Sequence, residues 1–444
     1  MHSLPSRIED LLSLDEALNR SNTDRISLDD SELFSLPDRI VRLGADTILI
    51  FRHADLRRLG PNANLGNMPA DVFIQQFFDG ASAHSLGPKQ REWMWRFQRN
   101  AVFTTTQPVH EIVKPIFSKP LSQGAMPPFR TIAERISREL VERVVGVGEI
   151  DVLEDFAQPF VFRFWGELLG MSQSETLRLR GVMSGMAANS SIQHRTPEGL
   201  AAYAQALGDY LDMLTRTIER ARAGGHNAFL NWRAQQFEQI KVPPSGFPEN
   251  QDVSLAVDMF DGFYALGIAV TNCLFALLDH PQSYDLVRRD IGLIPDAISE
   301  GLRLYAPVRF IARYTSTDMN YDEMFIPART KIGMYWGGGN RDPSVFENPG
   351  QFDLMRNHVK STTFGAGSQI CPGRNLTKTL VAACLTALVR ADLSIRIVSR
   401  GDWTLDKPIT NELRLENLVV SIHELLGEPA PFQSSNSSSA RTRI

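Results

Sequence analysis

The segment from Phe364 to Arg374 reads FGAGSQICPGR and carries the strongest fold signal in this 444-residue chain. Gly365 and Gly367 permit backbone dihedral angles that side chains disfavour, which indicates a tight turn. Cys371 lies within that turn, and a helical pattern starts directly after it. The positive end of such a helix favours an anion, so the segment is suited to hold a thiolate. Taken alone, the cysteine is more simply interpreted as a buried structural thiol.

Two charged residues upstream form a second motif. Glu300 and Arg303 are three positions apart, so on a helix they share one face and can pair. Such a pair is common, and by itself it indicates only a solvated surface contact. Its value lies in its combination with the cysteine segment.

Together, the cysteine segment and Glu300-Gly301-Leu302-Arg303 resemble the cytochrome P450 superfamily, over residues 30 to 426. The resemblance implies a mostly α fold with small β sheets, in which haem b (iron protoporphyrin IX) lies between a long central helix and the cysteine-loop helix. It implies that Cys371 is the axial ligand of the iron. The loop residues that would screen the sulfur, shape the turn or let the backbone pass close to the macrocycle are Phe364, Gly365 and Gly373.

The same resemblance implies a structural role for the charged motif. Arg356, in the segment before the cysteine loop, matches a second arginine that meets Glu300 and Arg303 in family members. The three residues would then form a buried network that shapes the core and takes no part in catalysis.

Four polar residues match positions that hold the haem propionates. His110 and Lys114 are four residues apart and therefore share a helical face. Lys114 replaces the more usual arginine, which keeps the charge but loses bidentate geometry. Arg313 resembles the arginine that reaches another propionate. Gln369 departs from the usual histidine or arginine and would weaken neutralisation of the propionates.

The oxygen-activating acid and alcohol of the family are missing. Counting back from Glu300 by the family's spacing leads to Tyr264-Ala265, and Ala265 has no hydroxyl. A hydroxyl of the substrate or an ordered water replaces the alcohol, or peroxide replaces O2 and electrons, or the iron performs chemistry other than hydroxylation. Asp261 and Tyr264 are the nearby candidate proton donors. The alternatives are a satisfied helix carboxylate for Asp261 and a packed aromatic ring for Tyr264.

Substrate contacts are assigned by position only. Aromatic and aliphatic side chains at these places pack in the core as often as they line a pocket. They indicate a predominantly apolar pocket for a hydrophobic or aromatic small molecule. The candidates are Trp93, in a loop predicted over residues 81–103, together with Phe260, Phe263, Val308 and Phe310.

The rest of the chain reads as mostly helical. Residues 30–59 are short and strand-like, with 47–51 as the best β segment, and residues 108–290 carry helical spacing. Residues 253–278 are apolar on every face except mainly at Asp258, Asp261, Thr271 and Asn272, which predicts a long buried helix. Short extended segments follow Pro307, with a loop at 337–343, and a final helix spans 376–389. We predict an extension at 1–29, one domain at 30–426 and a disordered Ser-rich tail at 427–444.

Composition excludes several classes of protein. With 46 Lys+Arg against 51 Asp+Glu and a net charge of −5, no electrostatic argument supports binding to nucleic acid. Three separated cysteines form no disulfide framework, which favours a reducing compartment. Neither a signal peptide nor an apolar run of about 18 residues is evident, so we expect a cytoplasmic protein without a membrane anchor.

These observations predict a haem-thiolate monooxygenase of the soluble bacterial type. It would use O2 and electrons from a separate ferredoxin or flavodoxin with its NAD(P)H reductase. One alternative is a peroxide-driven or non-hydroxylating catalyst of coupling, desaturation or dealkylation. A second alternative, from a different class, is a non-catalytic haem-binding sensor or scaffold.

Overall fold

The computed structural model describes residues 4–13, 31–43, 47–68, 72, 86–188, 196–225, 227–357, 360–391, 393–406 and 412–424. The predicted Ser-rich tail, residues 427–444, lies outside these ranges, as do residues 1–3 and 14–29 of the predicted extension. Residues 4–13 of that extension pack against the domain, because Leu4 and Leu11 are buried in a cluster with strand residues such as Ile40 and Met334.

Helices form most of the described chain. A π-helical turn, Val152–Ala157, leads directly into α6. In chain order the α-helices are α1 (Ser31–Ser35), α2 (His53–Leu59), α3 (Pro88–Asn100), α4 (Val109–Ser118), α5 (Met126–Val145), α6 (Gln158–Leu168), α7 (Gln173–Ala188), α8 (Pro197–Ala223), α9 (Ala228–Glu238), α10 (Gln251–Leu278), α11 (Pro281–Arg289), α12 (Ile294–Leu304), α13 (Trp336–Gly339) and α14 (Arg374–Arg390).

The strands form small sheets. They are β1 (Ile40–Arg42), β2 (Thr47–Ile50), β3 (Leu65–Gly66), β4 (Glu149–Asp151), β5 (Phe310–Thr315), β6 (Met319–Tyr321), β7 (Met324–Ile326), β8 (Lys331–Tyr335), β9 (Leu393–Arg400), β10 (Trp403–Asp406), β11 (Glu412–Leu415) and β12 (Leu418–Glu424). The largest sheet has the order β1-β2-β8-β5-β3, and β2 pairs with β8 in parallel while its other pairs are antiparallel. A three-stranded sheet has the order β4-β12-β9, and the pairs β6-β7 and β10-β11 complete the set. The mostly α architecture with small sheets is the one predicted.

Helix α10 is the central element of the core. The Asn250 side chain accepts hydrogen bonds from the backbone N–H groups of Asp252 and Val253 at 2.8 and 3.0 Å, which caps the helix. Among the described helices, α10 alone has the length and hydropathy of a membrane span, but 67% of that apolar window is buried inside the protein. The predicted buried helix over residues 253–278 is therefore confirmed. Helices α8, α12 and α14 pack against it.

Three sequence predictions of local structure were wrong. Residues 53–59 form α2 and not a strand. In the loop predicted over residues 81–103, residues 86 onward are described and Pro88–Asn100 form α3, which starts with proline at a position where its missing N–H costs nothing. Gly337–Gly339 lie in the one-turn helix α13 and not in a loop. A Cβ on Gly337 would lie 2.6 Å from Nε of Arg309, so close packing and not flexibility explains this glycine.

Candidate functional site

The loop before α14 has the geometry that its glycines predict. Gly365 and Gly367 have φ angles of +73° and +71°, in the left-handed region. A Cβ on Gly367 would also lie 2.5 Å from the Cα of Pro61, so both the backbone and the space exclude a side chain. The N–H of Cys371 donates to the carbonyl of Phe364 at 2.9 Å, which closes the turn.

The sulfur of Cys371 lies in a mixed electrostatic environment. Burial raises the pKa of the thiol, while the backbone N–H of Gly373, which donates to the sulfur, and the charge of Lys114 lower it. Asp261 of α10 raises the pKa of the same thiol, so it faces the loop. The net shift of the pKa is upward, so ionisation of this thiol needs a further positive charge, which a bound metal cation would supply.

His110 of α4 presents an unpaired nitrogen next to this loop. The residue is only 2% exposed. Its Nδ1 lies 3.1 Å from Oγ1 of Thr105 and 3.3 Å from Nδ2 of Asn67. Nε2 has no hydrogen-bond partner among the described residues. Burial, with the nearby charge of Lys114, lowers the pKa of His110 to about 4, so the ring is neutral and donates one N–H.

Two cations complete this side of the site. Burial lowers the pKa of Lys114, and burial lowers that of Arg313 to about 10. Within the described ranges, neither side chain forms an ion pair with an acidic residue. Half-buried cations normally have anionic partners. Gln369 is half-buried in the short 3-10 turn Gly367–Gln369 beside them.

These residues fit a haem group. Two unpaired cations and the N–H of His110 suit the two propionates, and the cysteine turn suits an axial thiolate. No cluster of three or more His, Cys, Asp or Glu side chains that could hold a metal ion occurs in the described part of the chain. A metal at this site would therefore depend on Cys371 together with ligands from outside the protein.

The face of α10 that is directed at the cysteine loop carries a carboxylate and a small residue. Asp261 keeps a large accessible surface and Cys371 a smaller one, although many protein atoms lie around both side chains, which indicates that they line a concave space. Ala265 lies one helical turn beyond Asp261 on the same face. Burial raises the pKa of Asp261 to about 6. A carboxyl group that is partly protonated near neutral pH is thus present where the alcohol is missing.

Tyr264, the other candidate proton donor, is committed elsewhere. Its hydroxyl donates to the backbone carbonyl of Met183 in α7. The ring also packs edge-on against Phe260. These contacts favour the packed-aromatic alternative, and the role of Tyr264 as a proton donor stays a prediction.

The aromatic substrate-contact candidates on α10 separate into two groups. Phe263 is fully buried and stacks on Phe162 at a centroid distance of 5.0 Å, on a face turned well away from Asp261. It is a core residue, and its assignment as a pocket residue was wrong. Phe260 is half-buried against Phe97 and Tyr210, so its substrate contact stays a prediction.

The remaining candidates come from α3 and from the chain before and within β5. Trp93 lies directly on Gly208 of α8, where a Cβ would be 2.2 Å from the indole, so the ring fixes α3 to α8. Phe310 packs on Gly333 of the neighbouring strand, and because side chains alternate along β5 it lies on the face opposite Arg313. Trp93 is a core residue in this structure and was wrongly assigned to the pocket, whereas Phe310 is half-buried and its substrate contact stays a prediction. Val308 is half-buried, and its substrate contact stays a prediction.

The charged motif forms a fully bonded network. Glu300 and Arg303 are buried, and the guanidinium donates to both carboxylate oxygens at 2.7 and 2.8 Å. Nε of Arg356 donates to the same carboxylate at 3.0 Å, as does the N–H of Asp353 at 2.9 Å. Burial alone would raise the pKa of Glu300, but the donated hydrogen bonds hold it below its usual value. The three residues lie together as the sequence predicts.

Two polar residues of the site region were not assigned a role from the sequence. Burial raises the pKa of Asp258, one turn before Asp261, to about 8. Arg233 of α9 is 3% exposed and lies near Asp258. An acid within a mostly apolar helix was a signal for Asp258, whereas no local pattern marks Arg233.

Comparisons with known proteins agree with this geometry. A family model described as cytochrome P450 matches residues 287–391. A "Beta-dihydromenaquinone-9 omega-hydroxylase" from Mycobacterium tuberculosis is 25% identical over 315 residues, which cover 70% of this chain and 63% of that relative. The chain thus spans less than two thirds of that relative's length. The "6-deoxyerythronolide B hydroxylase" of Saccharopolyspora erythraea is 27% identical over 287 residues, which cover 64% of this chain and 69% of the relative.

Solved structures show the same fold. The crystal structure of CalO2 superposes with a TM-score of 0.75 at 22% identity, over 88% of this chain and 96% of that chain. The matched family implies a haem-iron cofactor. The chain is similar in sequence and in fold to the cytochrome P450 superfamily.

Proposed function

We propose that this protein is a haem-thiolate monooxygenase that inserts one oxygen atom of O2 into a small hydrophobic or aromatic molecule. The observation that carries the proposal is the position of Cys371 in its turn, facing Asp261 across a concave space bordered by two cations without anionic partners. The names of two relatives, both hydroxylases, support the same class of reaction.

Each residue has a defined task in this proposal. Cys371 would bind the iron of haem b, and the neutral His110, Lys114 and Arg313 would hold its propionates. When bound, the haem supplies the activation of O2. Phe364 is half-buried at the start of the loop and would limit the access of water to the sulfur.

Asp261 takes the place of the missing acid and alcohol. Its carboxyl lies on the α10 face that is directed at Cys371, and Ala265 leaves space beside it. With a pKa of about 6, the group can hold a proton near neutral pH and give it up within the cavity.

The partners follow from the class of enzyme. Electrons would come from a separate ferredoxin or flavodoxin with its NAD(P)H reductase, and the exposed Arg374 beside the cysteine loop suits an acidic partner. A cytoplasmic location is consistent with this supply of electrons. The half-buried Phe260, Val308 and Phe310 are the described side chains that we assign to the substrate.

The decisive experiment is the optical spectrum of the reduced carbon-monoxide complex. The purified protein should show the red-shifted Soret band of a thiolate-ligated haem. Cys371→Ser should lose that band, whereas the matched Cys384→Ser, which changes a buried thiol in α14, should keep it. A wild-type protein without the band would overturn the proposal.

A peroxide-driven reaction is the second candidate, and Asp261 is the observation that favours it. A carboxyl group close to the reacting oxygen can take a proton from peroxide and return it to the leaving oxygen, without a hydroxyl at position 265. Turnover with hydrogen peroxide, compared with turnover using ferredoxin, its reductase and NADPH, separates the two reactions. Neither form of turnover would be seen in a haem-binding sensor.

A further inference from the structure

One face of α10 carries a row of polar residues in a mostly apolar helix. Gln251, Ser254, Asp258 and Asp261 follow one another at intervals of three or four residues, so they lie on one side of the helix. The row starts at the first residue of α10 and ends at the carboxyl that faces Cys371. Burying polar groups in this way costs free energy unless they find partners.

The polar atoms of this row are not satisfied by the protein. Oε1 of Gln251, Oγ of Ser254 and Oδ2 of Asp258 have no hydrogen-bond partner among the described residues. Ser254 is completely buried. Buried polar atoms without protein partners are the usual positions of ordered water. Neighbouring members of the row have Cβ atoms about 5–6 Å apart, which suits one water between short side chains.

Arg233 extends the row at its outer end. Its Nη1 donates to the backbone carbonyl of Gln251, while Nε and Nη2 have no partner in the described ranges. The guanidinium lies over the rings of Phe117 and Phe237, with its central carbon 4.2 and 4.9 Å from the two centroids. A buried cation with two free N–H groups beside Gln251 provides further donors for ordered water.

We propose that this face of α10 is a proton route that runs from Arg233 and Gln251 through Ser254 and Asp258 to Asp261. The inference rests on the proposed function, because it supplies the protons that the proposed reaction consumes. It also explains how a site without the acid-alcohol pair is reprotonated.

The proton balance of the reaction defines what the route must do. One turnover takes up O2, two electrons from NADPH and two protons from solvent; one oxygen enters the substrate and the other leaves as water. Asp261 gives up its proton in the cavity and regains one from the Asp258 carboxyl through a water. Asp258 is reprotonated by water bound at Ser254 and Gln251, and this water regains its proton from bulk solvent, so the route itself is unchanged after each turnover.

The groups that surround the two acids come from several elements of the fold. Asp258 faces Arg233 of α9, Lys114 of α4 and the backbone N–H of Val102, which donates to its Oδ1 at 3.3 Å. Asp261 faces Cys371, and Tyr210 of α8 lies beside both acids, with its hydroxyl donating to the carbonyl of Ala256. Despite the nearby cations, burial raises the pKa of Asp258 to about 8. Asp258 therefore stores a proton at neutral pH.

Proton exchange at Asp258 tests the route without using activity. In infrared spectra of the ferric holoprotein, wild type should show a protonated-carboxyl band that Asp258→Asn lacks. After rapid mixing with D2O, this band should shift to its deuterated position, and Ser254→Val should slow the shift by about tenfold, the effect of one lost hydrogen bond. The matched Thr271→Val removes a hydroxyl of α10 that bonds to Gly267, away from the row, and should exchange at the wild-type rate. Equal exchange in both valine variants, or the absence of the band, overturns the proposal.

A second measurement separates the route from the proposed function. NADPH consumption is followed with ferredoxin, its reductase and indole as the probe, and Asp258→Asn should reduce it by about tenfold or more, within the range of general acid-base effects. An unchanged rate in this variant overturns the supply role of Asp258. If wild type shows neither the red-shifted carbon-monoxide band nor NADPH consumption, the proposed function fails, while the exchange experiment still decides whether the route exists.

Discussion

The charged network around Glu300 and the polar row on α10 both contain buried polar atoms, but they differ in how well these atoms are satisfied. Glu300 accepts hydrogen bonds from Arg303, Arg356 and the backbone of Asp353. On α10, by contrast, Ser254 and Asp258 have polar atoms without partners among the described residues. A satisfied buried network fixes one structure, whereas an unsatisfied one accepts water or a ligand. The contrast separates the structural part of this protein from the part to which we assign chemistry.

Removing the centre of the satisfied network gives the largest expected effect. Glu300→Ala leaves two arginines with an uncompensated buried charge, so we expect the free energy of unfolding to fall by about 3–5 kcal/mol. The matched Glu139→Ala breaks ion pairs with Arg135 and Arg163 that are largely exposed, and it should cost about 1 kcal/mol or less. Guanidinium titrations measure both values. Similar losses in the two variants would contradict the structural role of the network.

The sequence predicted the cysteine turn and the charged network around Glu300 well, because the signals for both are local. The glycines of the cysteine turn and the spacing of Glu300 and Arg303 each depend on a few neighbouring residues. The polar row on α10 was harder to predict. The surroundings of Asp258 are formed by Val102, Lys114 and Arg233, which come from other elements of the fold.

The wrong assignments have the same cause. Phe263 was assigned to the pocket by its position in the sequence, but the direction of its side chain depends on the face of the helix on which it lies. Trp93 was placed in a loop, whereas it lies in a helix that packs on Gly208. Resemblance by position identifies the segments near the pocket, but it does not identify which face of a helix or strand a side chain occupies.

The second largest effect is expected at the end of the polar row. Asp261→Asn keeps the size of the side chain and removes the titrating proton, so turnover with O2 and NADPH should fall by about a hundredfold. Adding Ala265→Thr to this variant restores a hydroxyl on the same face and should recover part of the rate.

The carbon-monoxide spectrum serves as the control for Asp261→Asn, since the red-shifted band should be unchanged. Asp252→Asn, which alters an acid of α10 that pairs with Arg222 outside the row, is the matched variant and should retain wild-type turnover. Full activity in Asp261→Asn would show that the proton comes from another group.

A glycine of the cysteine turn tests whether the backbone of that turn excludes a side chain. Gly367→Ala forces a side chain into the left-handed region and against Pro61, so we expect a loss of about 2 kcal/mol in unfolding free energy. Gly124→Ala is the control, because a Cβ there meets no atom within 4 Å and the backbone is not left-handed. Thermal unfolding compares the two, and equal midpoints would show that the turn is not strained by a side chain.

The smallest effect is a change in the pH dependence of stability caused by Asp258. Burial raises its pKa from an ordinary value of 3.8 to about 8, so between these values the folded protein holds a proton that the unfolded chain has released. This contribution to the free energy of unfolding is fully present at low pH and is lost as the pH rises toward 8. Asp258→Asn removes the titration, and its stability should therefore fall less steeply across this range than that of wild type. Asp261→Asn should change the slope only up to about pH 6, which makes it the matched comparison. Guanidinium titrations at several pH values give the slopes, and parallel curves for wild type and Asp258→Asn would show that this carboxyl is ionised throughout and stores no proton.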